Sequence, residues 1–230
     1  MHLTRLHAVC LQSAPAPGDT PHPAPPPTVV FVLGGPGAGK GTQCSKLVRA
    51  ARAARHSLSR PPSQVRDYGF THLSAGDLLR AHMQTDSADG RLVAELIANG
   101  QIVPSSVTVN LLTSAMASSG CSRFLIDGFP RNSENRDAWE RVAGYDCTFV
   151  LFYDVSKEVM TQRLLGRNQG RTDDNAATIA KRFRVFEDST RPVLAHYEAK
   201  GKLVRVDGGR GVEEVYEATR PAFQQFAEKE

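Results

Sequence analysis

A glycine-rich turn near the start of the chain has the residue types and spacing of a phosphate-binding loop. Gly34 to Lys40 read GGPGAGK, which fits the pattern G-x-x-x-x-G-K between an apolar run and a helical pattern. Glycines let backbone amides turn inward around oxygen atoms, and the start of the following helix adds a favourable dipole for an anion. The ammonium of Lys40 can then reach the β- and γ-phosphates. The stretch therefore predicts a loop that holds the phosphates of a nucleotide.

The elements that must position this loop are short apolar strands that alternate with helical segments. The apolar runs are Val29–Leu33, His72–Leu73, Phe124–Ile126, Phe149–Tyr153 and Leu203–Val206. Such an alternation predicts βαβ units, and hence an α/β fold with a parallel sheet covered on both faces. Ser74, three residues before Asp77, and Ser156 are suited to cap helices, and Pro104 to the first turn of another.

Composition and cysteine content restrict the class of protein. No apolar run approaches the ~20 residues that a membrane span needs, which excludes an integral membrane protein. The four cysteines, at positions 10, 44, 121 and 147, form no CxxC pair and have no neighbouring histidine at metal-ligand spacing. They predict a reduced compartment, with neither a disulfide framework nor a structural zinc site.

Two segments differ in composition from the rest of the chain. Residues 1–27 are rich in proline and alanine and are predicted to be a disordered tail, with an organellar transit segment as the alternative. Residues 51–67 carry four arginines against one aspartate, which is +3 of the net charge of +4. A basic excess confined to one short segment favours a solvated loop over a nucleic-acid surface.

After Lys40 come Gly41 and Thr42, so the hydroxyl lies one place later than in most loops of this kind. In this form, GGPGAGKGTQ, the loop resembles that of nucleoside monophosphate kinases of the adenylate kinase family. The resemblance covers nearly the whole chain outside residues 1–27 and about 51–67. It is carried by LSAGDLLR (73–80), NGQIVP (99–104), FLIDGFPRN (124–132), RLLGRNQGRTDDN (163–175) and KRF (181–183).

The resemblance implies a P-loop three-layer sandwich with a five-stranded parallel sheet. A kinase domain would occupy residues 28–230, with a small helical monophosphate-binding domain at about 74–103 and a short lid at about 167–177. The segment at about 51–67 would be an inserted loop. The lid region holds no cysteines that could bind zinc.

The same resemblance implies roles for particular residues. On the ATP side it assigns Gly37, Ala38, Gly39, Lys40, Gly41, Thr42, Arg163, Arg167 and Arg210. On the acceptor side it assigns Ala75, Arg80, Gln101, Ile102, Val103, Gly128, Phe129, Arg131, Asn135, Arg171 and Arg182. The expected catalytic residues are Lys40, Arg131, Arg171, Arg182 and Asp127.

These residue types suit phosphoryl transfer between two nucleotides. The acceptor phosphate is already an anionic nucleophile, so catalysis depends on positioning and on neutralising two anions that repel each other. Arg80 and Arg131 would clamp the monophosphate, because a planar guanidinium fork matches a phosphate. No side chain is expected to bind a metal directly. Asp127 would instead hold the waters around Mg²⁺ that arrives with ATP.

Three positions bear on the acceptor base. Asn135 stands where adenylate kinases place a glutamine and Ala75 where they place a threonine, and together with Phe129 they resemble the UMP/CMP kinases. A shorter amide suits a smaller base, which predicts ATP-dependent phosphorylation of UMP or CMP, with dCMP as a further candidate. Phosphorylation of AMP is the alternative, as is an Asn135 that simply faces solvent.

A P-loop regulatory protein, which binds a nucleotide as GTPases do, is the remaining alternative. It is disfavoured because no N-K-x-D motif is present and the acceptor-side arginines would have no purpose. The expected partners are ATP and a nucleoside monophosphate, without nucleic acid or membrane, although a nucleic-acid role of residues 51–67 could coexist. We expect a monomer in the cytoplasm, with the nucleus as a further location, that acts in pyrimidine nucleotide biosynthesis.

Overall fold

The computed structural model describes residues 25–56, 68–166, 173 and 175–227, with the side chains of the first helix described up to residue 48. Several predictions concern residues outside these ranges. They are the roles of Arg167 and Arg171, most of the lid at 167–177, the tail before residue 25 and the greater part of the inserted loop.

Among the described residues, five parallel strands form one sheet in the order β2-β3-β1-β4-β5. The strands are β1 (Thr28–Gly34), β2 (Thr71–Ser74), β3 (Arg123–Asp127), β4 (Phe149–Asp154) and β5 (Leu203–Asp207). Each of them contains one of the apolar runs read from the sequence. The predicted α/β fold with a five-stranded parallel sheet is therefore confirmed.

Helices connect successive strands and flank the sheet. They are α1 (Lys40–His56), α2 (Ala75–His82), α3 (Ala88–Ala98), α4 (Ser105–Ser119), α5 (Ser133–Ala143), α6 (Lys157–Leu165), α7 (Ala176–Val185), α8 (Arg191–Ala199) and α9 (Val212–Thr219). A π-helical turn (Phe186–Thr190) joins α7 to α8, and a 3₁₀ helix (Arg220–Phe226) follows α9. None of the described helices combines the length and the apolar character needed to cross a bilayer.

The apolar core lies on both faces of the sheet, because side chains alternate along each strand. Along β1, Phe31 belongs to a cluster on one face, whereas Val30 and Val32 belong to a cluster on the other. Phe31 is fully buried, and its ring lies edge-on to Trp139 at a centroid distance of 5.4 Å. Burial on both faces explains why the strands contain continuous apolar runs instead of alternating polar and apolar residues.

A third, smaller apolar cluster is separate from these two. It consists of Leu79 on α2, Val93 on α3 and Val103 just before α4. It lies within residues 74–103, where the sequence predicts a small monophosphate-binding domain. The boundaries of that domain stay a prediction.

The predicted helix starts can be compared with the structure residue by residue. The hydroxyls of Ser74 and Ser156 accept hydrogen bonds from the backbone amides of Asp77 and Val159, which confirms both as caps. The assignment of Pro104 to the first turn is wrong by one residue. Pro104 has ψ 135° and is the capping residue, and α4 begins at Ser105.

Candidate active site

A cavity of about 460 Å³ opens where the carboxyl ends of β1, β2 and β3 meet. The register pairs Ser74 with Asp127 at the ends of β2 and β3, and both side chains line the cavity. The turn from β1 into α1 forms another wall, which runs from Pro36 to Thr42. The cavity thus lies at the edge of a parallel sheet where open α/β folds bind ligands.

The predicted phosphate loop has a conformation that depends on its glycines. Gly37 and Gly39 have φ angles of +83° and +85°, in the left-handed region that side chains disfavour. A Cβ on Gly37 would also lie 2.6 Å from the backbone oxygen of Met160. Lys40 donates from Nζ to the oxygens of Gly34 and Gly35 at 2.9 and 3.0 Å. The lysine is therefore held across the loop, with its ammonium at the cavity wall.

Three arginines from different elements line the same cavity as the phosphate loop. Arg80 comes from α2, Arg131 from the segment after β3, and Arg182 from α7. Their convergence places several guanidinium groups in the same cavity as the phosphate loop. Since a guanidinium fork binds phosphate oxygens in pairs, these arginines can hold a second phosphate.

Arg131 is fixed more firmly than an ordinary surface arginine. Its backbone amide donates to Asn135 Oδ1 at 3.1 Å, and its backbone oxygen accepts from Thr190 Oγ1 at 2.8 Å. Its side-chain Nε donates to the oxygen of Gly128 at 3.2 Å. Both the backbone and the guanidinium are thereby oriented before any ligand binds.

The electrostatic environment of Arg131 is unfavourable to its own charge. Burial lowers the pKa of its guanidinium, and Arg182 and Arg80 lower it further, while Asp127 and Asp173 act in the opposite direction. Crowded cations of this kind are stabilised when an anion binds among them. The lowered pKa of Arg131 therefore marks a site for a negatively charged ligand.

Acidic side chains hold the other two arginines. Arg80 Nη2 lies 2.5 Å from Asp77 Oδ1, one helical turn away on α2. Arg182 Nη1 lies 2.9 Å from Asp173 Oδ2 and donates to the backbone oxygen of Asp173 at 3.1 Å. These pairs orient the guanidinium groups at the cavity.

Comparison with known proteins agrees with this geometry. A family model described as adenylate kinase matches residues 60–202, which is more than half of the chain. The chain belongs to the adenylate kinase family. Among its relatives are proteins named UMP-CMP kinase 3 from Arabidopsis thaliana and from Oryza sativa, each 50% identical over 203 residues. These matches cover 88% of this chain and 92% and 89% of the two relatives. A protein named UMP-CMP kinase from Danio rerio is 46% identical over 200 residues, covering 83% of this chain and 93% of the relative.

Most of the described residues assigned to the two nucleotides lie together at one cavity. The predicted site residues that line the cavity are Gly37, Ala38, Gly39, Lys40, Gly41, Thr42, Arg80, Gln101, Val103, Asp127, Gly128, Arg131 and Arg182. They come from positions up to 145 residues apart in the sequence (37 and 182), and the fold brings them to one cavity.

Two residues assigned to ATP lie outside the cavity wall. Arg163 Nη1 donates to the oxygen of Gly208 at 2.9 Å, and its Nη2 donates to that of Arg210 at 3.2 Å. The guanidinium of Arg210 instead binds Asp207 Oδ2 at 2.9 Å and is more than half exposed. Arg163 remains close to the phosphate loop, since its Nη1 would lie 3.9 Å from a Cβ on Gly39. The ATP contacts of both arginines stay predictions.

The residues assigned to the acceptor base do not line the cavity with their side chains. The ring of Phe129 is fully buried and packs edge-on to Phe31 in the core, and its role at the acceptor site stays a prediction. Ala75 is also buried in that cluster, and Ile102 is absent from the cavity wall.

Asn135 is likewise buried, at 2% exposure, which contradicts the alternative that it faces solvent. Its Nδ2 donates to Ser105 Oγ at 2.8 Å, and its Oδ1 accepts from the amide of Arg131. Both ends of the amide are therefore engaged immediately behind Arg131. A contact between Asn135 and a base would require the amide to leave these partners, and this role stays a prediction.

The donors around Asp127 fit a hydrated magnesium ion. Asp127 ends β3 at the cavity, and its Oδ2 would lie 3.5 Å from a Cβ on Gly41, so the carboxylate faces the start of α1. The exposed Thr42 hydroxyl lines the same cavity. Oxygen ligands and room for water are what a small, hard cation prefers.

Sequence reasoning missed two residues of the site. His72 on β2 lines the cavity, and its Nε2 lies 3.5 Å from Asp127 Oδ2. Thr190 lies 59 residues after Arg131 and fixes its backbone. Knowing that β2 pairs with β3 would have placed His72 beside Asp127. The contact of Thr190 with Arg131 depends on the π-helical turn, which the sequence pattern does not predict.

Proposed function

We propose that this chain transfers the γ-phosphoryl group of ATP to the phosphate of a pyrimidine nucleoside monophosphate, giving the diphosphate and ADP. UMP and CMP are the proposed acceptors, and dCMP is a further candidate. The observation that carries the proposal is that one cavity joins a phosphate loop to a cluster of guanidinium groups from Arg80, Arg131 and Arg182. A protein that only binds and senses one nucleotide has no use for that second cationic site.

The charge of the cavity wall supports two anionic substrates. Its described cations are Lys40 and the three arginines, opposed by the carboxylates of Asp77, Asp127 and Asp173. Two of these carboxylates already pair with arginines. The remaining cationic character is directed at the ends of the two nucleotides, where their phosphates meet.

In the transfer step, an oxygen of the acceptor phosphate forms a bond to the γ-phosphorus, and the bond to the β–γ bridging oxygen breaks. The electron pair of the broken bond stays with ADP, and no proton has to be removed from the nucleophile. The backbone amides of the phosphate loop and Lys40 bind the donor phosphates. Arg131 and Arg182 stabilise the charge that spreads over the transferring group, and they need no reorganisation because they are oriented in advance.

Magnesium would be held without direct protein ligands. Asp127 would bind the water molecules around the ion, and Thr42 would lie where the ion meets the phosphates. The oxygen atoms at that end of the cavity are consistent with both roles. The ion supplies charge neutralisation on the β- and γ-phosphates when it is bound. Asp127 would thus position the water molecules around the ion and would not bind the ion directly.

The preference for a pyrimidine is supported by the relatives and by Asn135. The relatives named UMP-CMP kinases match about nine-tenths of this chain at up to 50% identity. Asn135 lies behind Arg131, the residue that would bind the acceptor phosphate, and is shorter than the glutamine of adenylate kinases. Contact between this amide and the base belongs to the proposal, and it requires the amide to leave Ser105 and Arg131.

Steady-state rates with CMP, UMP, dCMP and AMP at saturating Mg·ATP test the proposal. We expect kcat/KM for CMP or UMP to exceed that for AMP by at least about tenfold, since one matched hydrogen-bonding edge is worth about 1.4 kcal/mol. A clear preference for AMP would refute the pyrimidine assignment. A bisubstrate analogue that joins two nucleotides end to end should bind in a 1:1 ratio. Failure to bind it would refute a two-nucleotide cavity.

We further propose that the kinase acts as a monomer, because a single chain supplies both the phosphate loop and the arginines Arg80, Arg131 and Arg182 to the cavity. Light scattering after size-exclusion chromatography at the assay concentration measures this directly. A mass of twice the 25.0 kDa of the chain would contradict it.

A further inference from the structure

A second cluster of possible metal ligands lies beneath the phosphate loop. Cys44 is on α1, His72 on β2 and Asp127 at the end of β3. Their ligand atoms, one sulfur, one ring nitrogen and one carboxylate oxygen, all lie within 4.8 Å of one another. Among the described residues, this is the group of three such side chains that could surround one ion. The proposed transfer reaction uses neither Cys44 nor His72.

The distances suit a small tetrahedral ion. Two nitrogen or oxygen ligands at the usual zinc distances are about 3.4 Å apart in a tetrahedron, and a sulfur ligand lies slightly farther away. His72 Nε2 and Asp127 Oδ2 are 3.5 Å apart. No separation within the group exceeds 4.8 Å, so the ligand atoms need to move by no more than about 1 Å to reach tetrahedral spacing.

The state of the two unused ligands also indicates an ion. His72 Nε2 is buried and has no hydrogen-bond partner, although it lies close to the carboxylate of Asp127. Buried ring nitrogens normally have a partner, and an orphaned one calls for an explanation. The Cys44 side chain is fully buried, and its sulfur lies within 4.8 Å of the other two ligand atoms.

We propose that Cys44, His72 and Asp127 bind one thiophilic divalent cation, of which Zn²⁺ is the probe. His72 and Asp127 line the cavity, so the fourth coordination position faces it and can hold water or a phosphate oxygen. On binding, the S–H bond of Cys44 breaks, a sulfur–metal bond forms and the proton passes to water. This is a site distinct in its ligands from that of Mg²⁺, which does not favour sulfur.

The buried thiol selects strongly thiophilic ions. Cys44 offers a sulfur ligand beside the ring nitrogen of His72 and a carboxylate oxygen of Asp127. Zinc-like ions favour such a mixed set, whereas magnesium prefers oxygen ligands alone. The two cations are sorted by the same few side chains.

Occupation of this site would inhibit the kinase. This consequence rests on the proposed function, in which Asp127 holds the waters around magnesium. A carboxylate bound to zinc no longer serves that purpose, and the positive charge beneath the loop changes how Lys40 binds phosphates. We therefore infer that a thiophilic cation acts as an inhibitor whose site overlaps that of the cofactor at Asp127.

Binding is tested on the full chain without nucleotide. In a Cys10→Ser, Cys121→Ser background, competition with a chromophoric chelator should show one Zn²⁺ per chain. The substitutions Cys44→Ser and His72→Asn should each weaken Zn²⁺ binding by about tenfold or more, because losing even an outer-shell partner of a ligand costs about that much. The matched control is Cys147→Ser, because Cys147 is also buried but precedes β4, which β1 separates from β3 and β2. Its affinity should stay within about twofold of that of the background.

Cobalt keeps the test decisive if a variant fails to fold. Co²⁺ bound to the background protein should give a thiolate-to-cobalt charge-transfer band and a tetrahedral visible spectrum. Absence of the band, or an unchanged Zn²⁺ affinity in folded Cys44→Ser, would overturn the proposal.

Inhibition is measured separately with buffered free Zn²⁺ and direct chromatography of the nucleoside diphosphate formed. Each protein is compared with its own metal-free rate, and we expect about tenfold inhibition of the background and little of Cys44→Ser. Binding without inhibition would overturn the inhibitory role. A preference for AMP, which would refute the pyrimidine assignment, would leave the binding result unchanged.

Discussion

Arg131→Ala removes the best-oriented cation of the acceptor side and leaves the phosphate loop intact. Arg131 is held by Asn135, Gly128 and Thr190, whereas Lys40 binds the loop oxygens of Gly34 and Gly35. The two sets of contacts share no residue. We therefore expect the substitution to impair phosphoryl transfer and acceptor binding without weakening ATP binding.

The expected loss can be worked out from the position of the guanidinium. A charge about 4 Å from a phosphate is worth about 4 kcal/mol at an effective dielectric constant of 20. Removal of one preorganised donor usually costs a factor of about 10² to 10³ in rate. Because three hydrogen bonds fix Arg131, it loses little conformational entropy when the substrate binds. We therefore expect its removal to lower kcat/KM for the acceptor by about 10³.

Stability provides the control for this variant. Burial and the neighbouring arginines lower the pKa of Arg131, which means that its charge is unfavourable in the protein without ligand. Its removal should therefore change the free energy of unfolding by no more than about 1 kcal/mol, roughly one hydrogen bond. Arg131→Lys, which keeps the charge but not the fork, should recover only part of the rate.

The assay combines initial rates over a range of acceptor concentrations with titration of ATP binding to the free enzyme. An ATP dissociation constant within about threefold of the wild-type value is expected, which is less than 1 kcal/mol. Weaker ATP binding with an unchanged kcat for the acceptor would refute the assignment of Arg131. A large loss of stability would also contradict the expectation, because the lower rate would then come from misfolding of the variant.

Three further changes test other parts of the site and fold. Thr190→Val removes the hydroxyl that donates to the backbone oxygen of Arg131 and should lower kcat about fivefold. Thr190→Ser keeps the hydroxyl and should keep kcat, and equal rates in the two variants would contradict this role. Asn135→Gln should raise kcat/KM for AMP relative to CMP, and an unchanged ranking would mean that the base is read elsewhere. Burial acts to raise the pKa of Asp146, but Lys202 and other partners outweigh it and lower the pKa to about 2. That stabilisation, about 1 kcal/mol after screening, is present above about pH 4 and is lost as the pH falls towards 2. The free energy of unfolding of Asp146→Asn in urea should therefore be lower than that of the wild type above about pH 4 and equal to it near pH 2.

The sheet and the phosphate loop could be predicted because their determinants are local. Continuous apolar runs such as Phe149–Tyr153 indicate strands buried on both faces, and the loop glycines are required by positive φ angles within one short turn. Ser74 and Ser156 mark helix starts for the same reason, since a cap bonds an amide only three residues away. Such features depend on neighbouring residues and hardly on the rest of the fold.

The cluster of Cys44, His72 and Asp127 could not be predicted in this way. Metal-site patterns in a sequence rely on short spacings, and these residues are separated by 28 and 55 positions (44 to 72 and 72 to 127). They meet only because β2 lies next to β3 while α1 packs against both strands. The scattered cysteines predicted no structural zinc site, which is a different kind of site from the proposed inhibitory one.

Asn135 shows how tertiary contacts change the meaning of a residue. From its position after the arginine, the sequence suggested a side chain directed at the base. The structure engages its amide with Arg131 and Ser105, behind the cavity wall. Its identity therefore sets the position of Arg131 as well as any contact with the base, and a single substitution affects both.

Two of the acceptor-side arginines, Arg80 and Arg131, differ in what an arriving phosphate must displace. Arg131 is oriented by hydrogen bonds to Gly128 and from Thr190 of the π-helical turn, and Asp127 and Asp173 only partly offset the burial of its charge. Arg80 lies on α2, next to Leu79 of the smaller apolar cluster, and its guanidinium is paired with Asp77. A phosphate that binds both must compete with Asp77 for Arg80 but meets Arg131 already in place. Substrate binding at this site is therefore expected to begin at Arg131 and to draw α2 towards it.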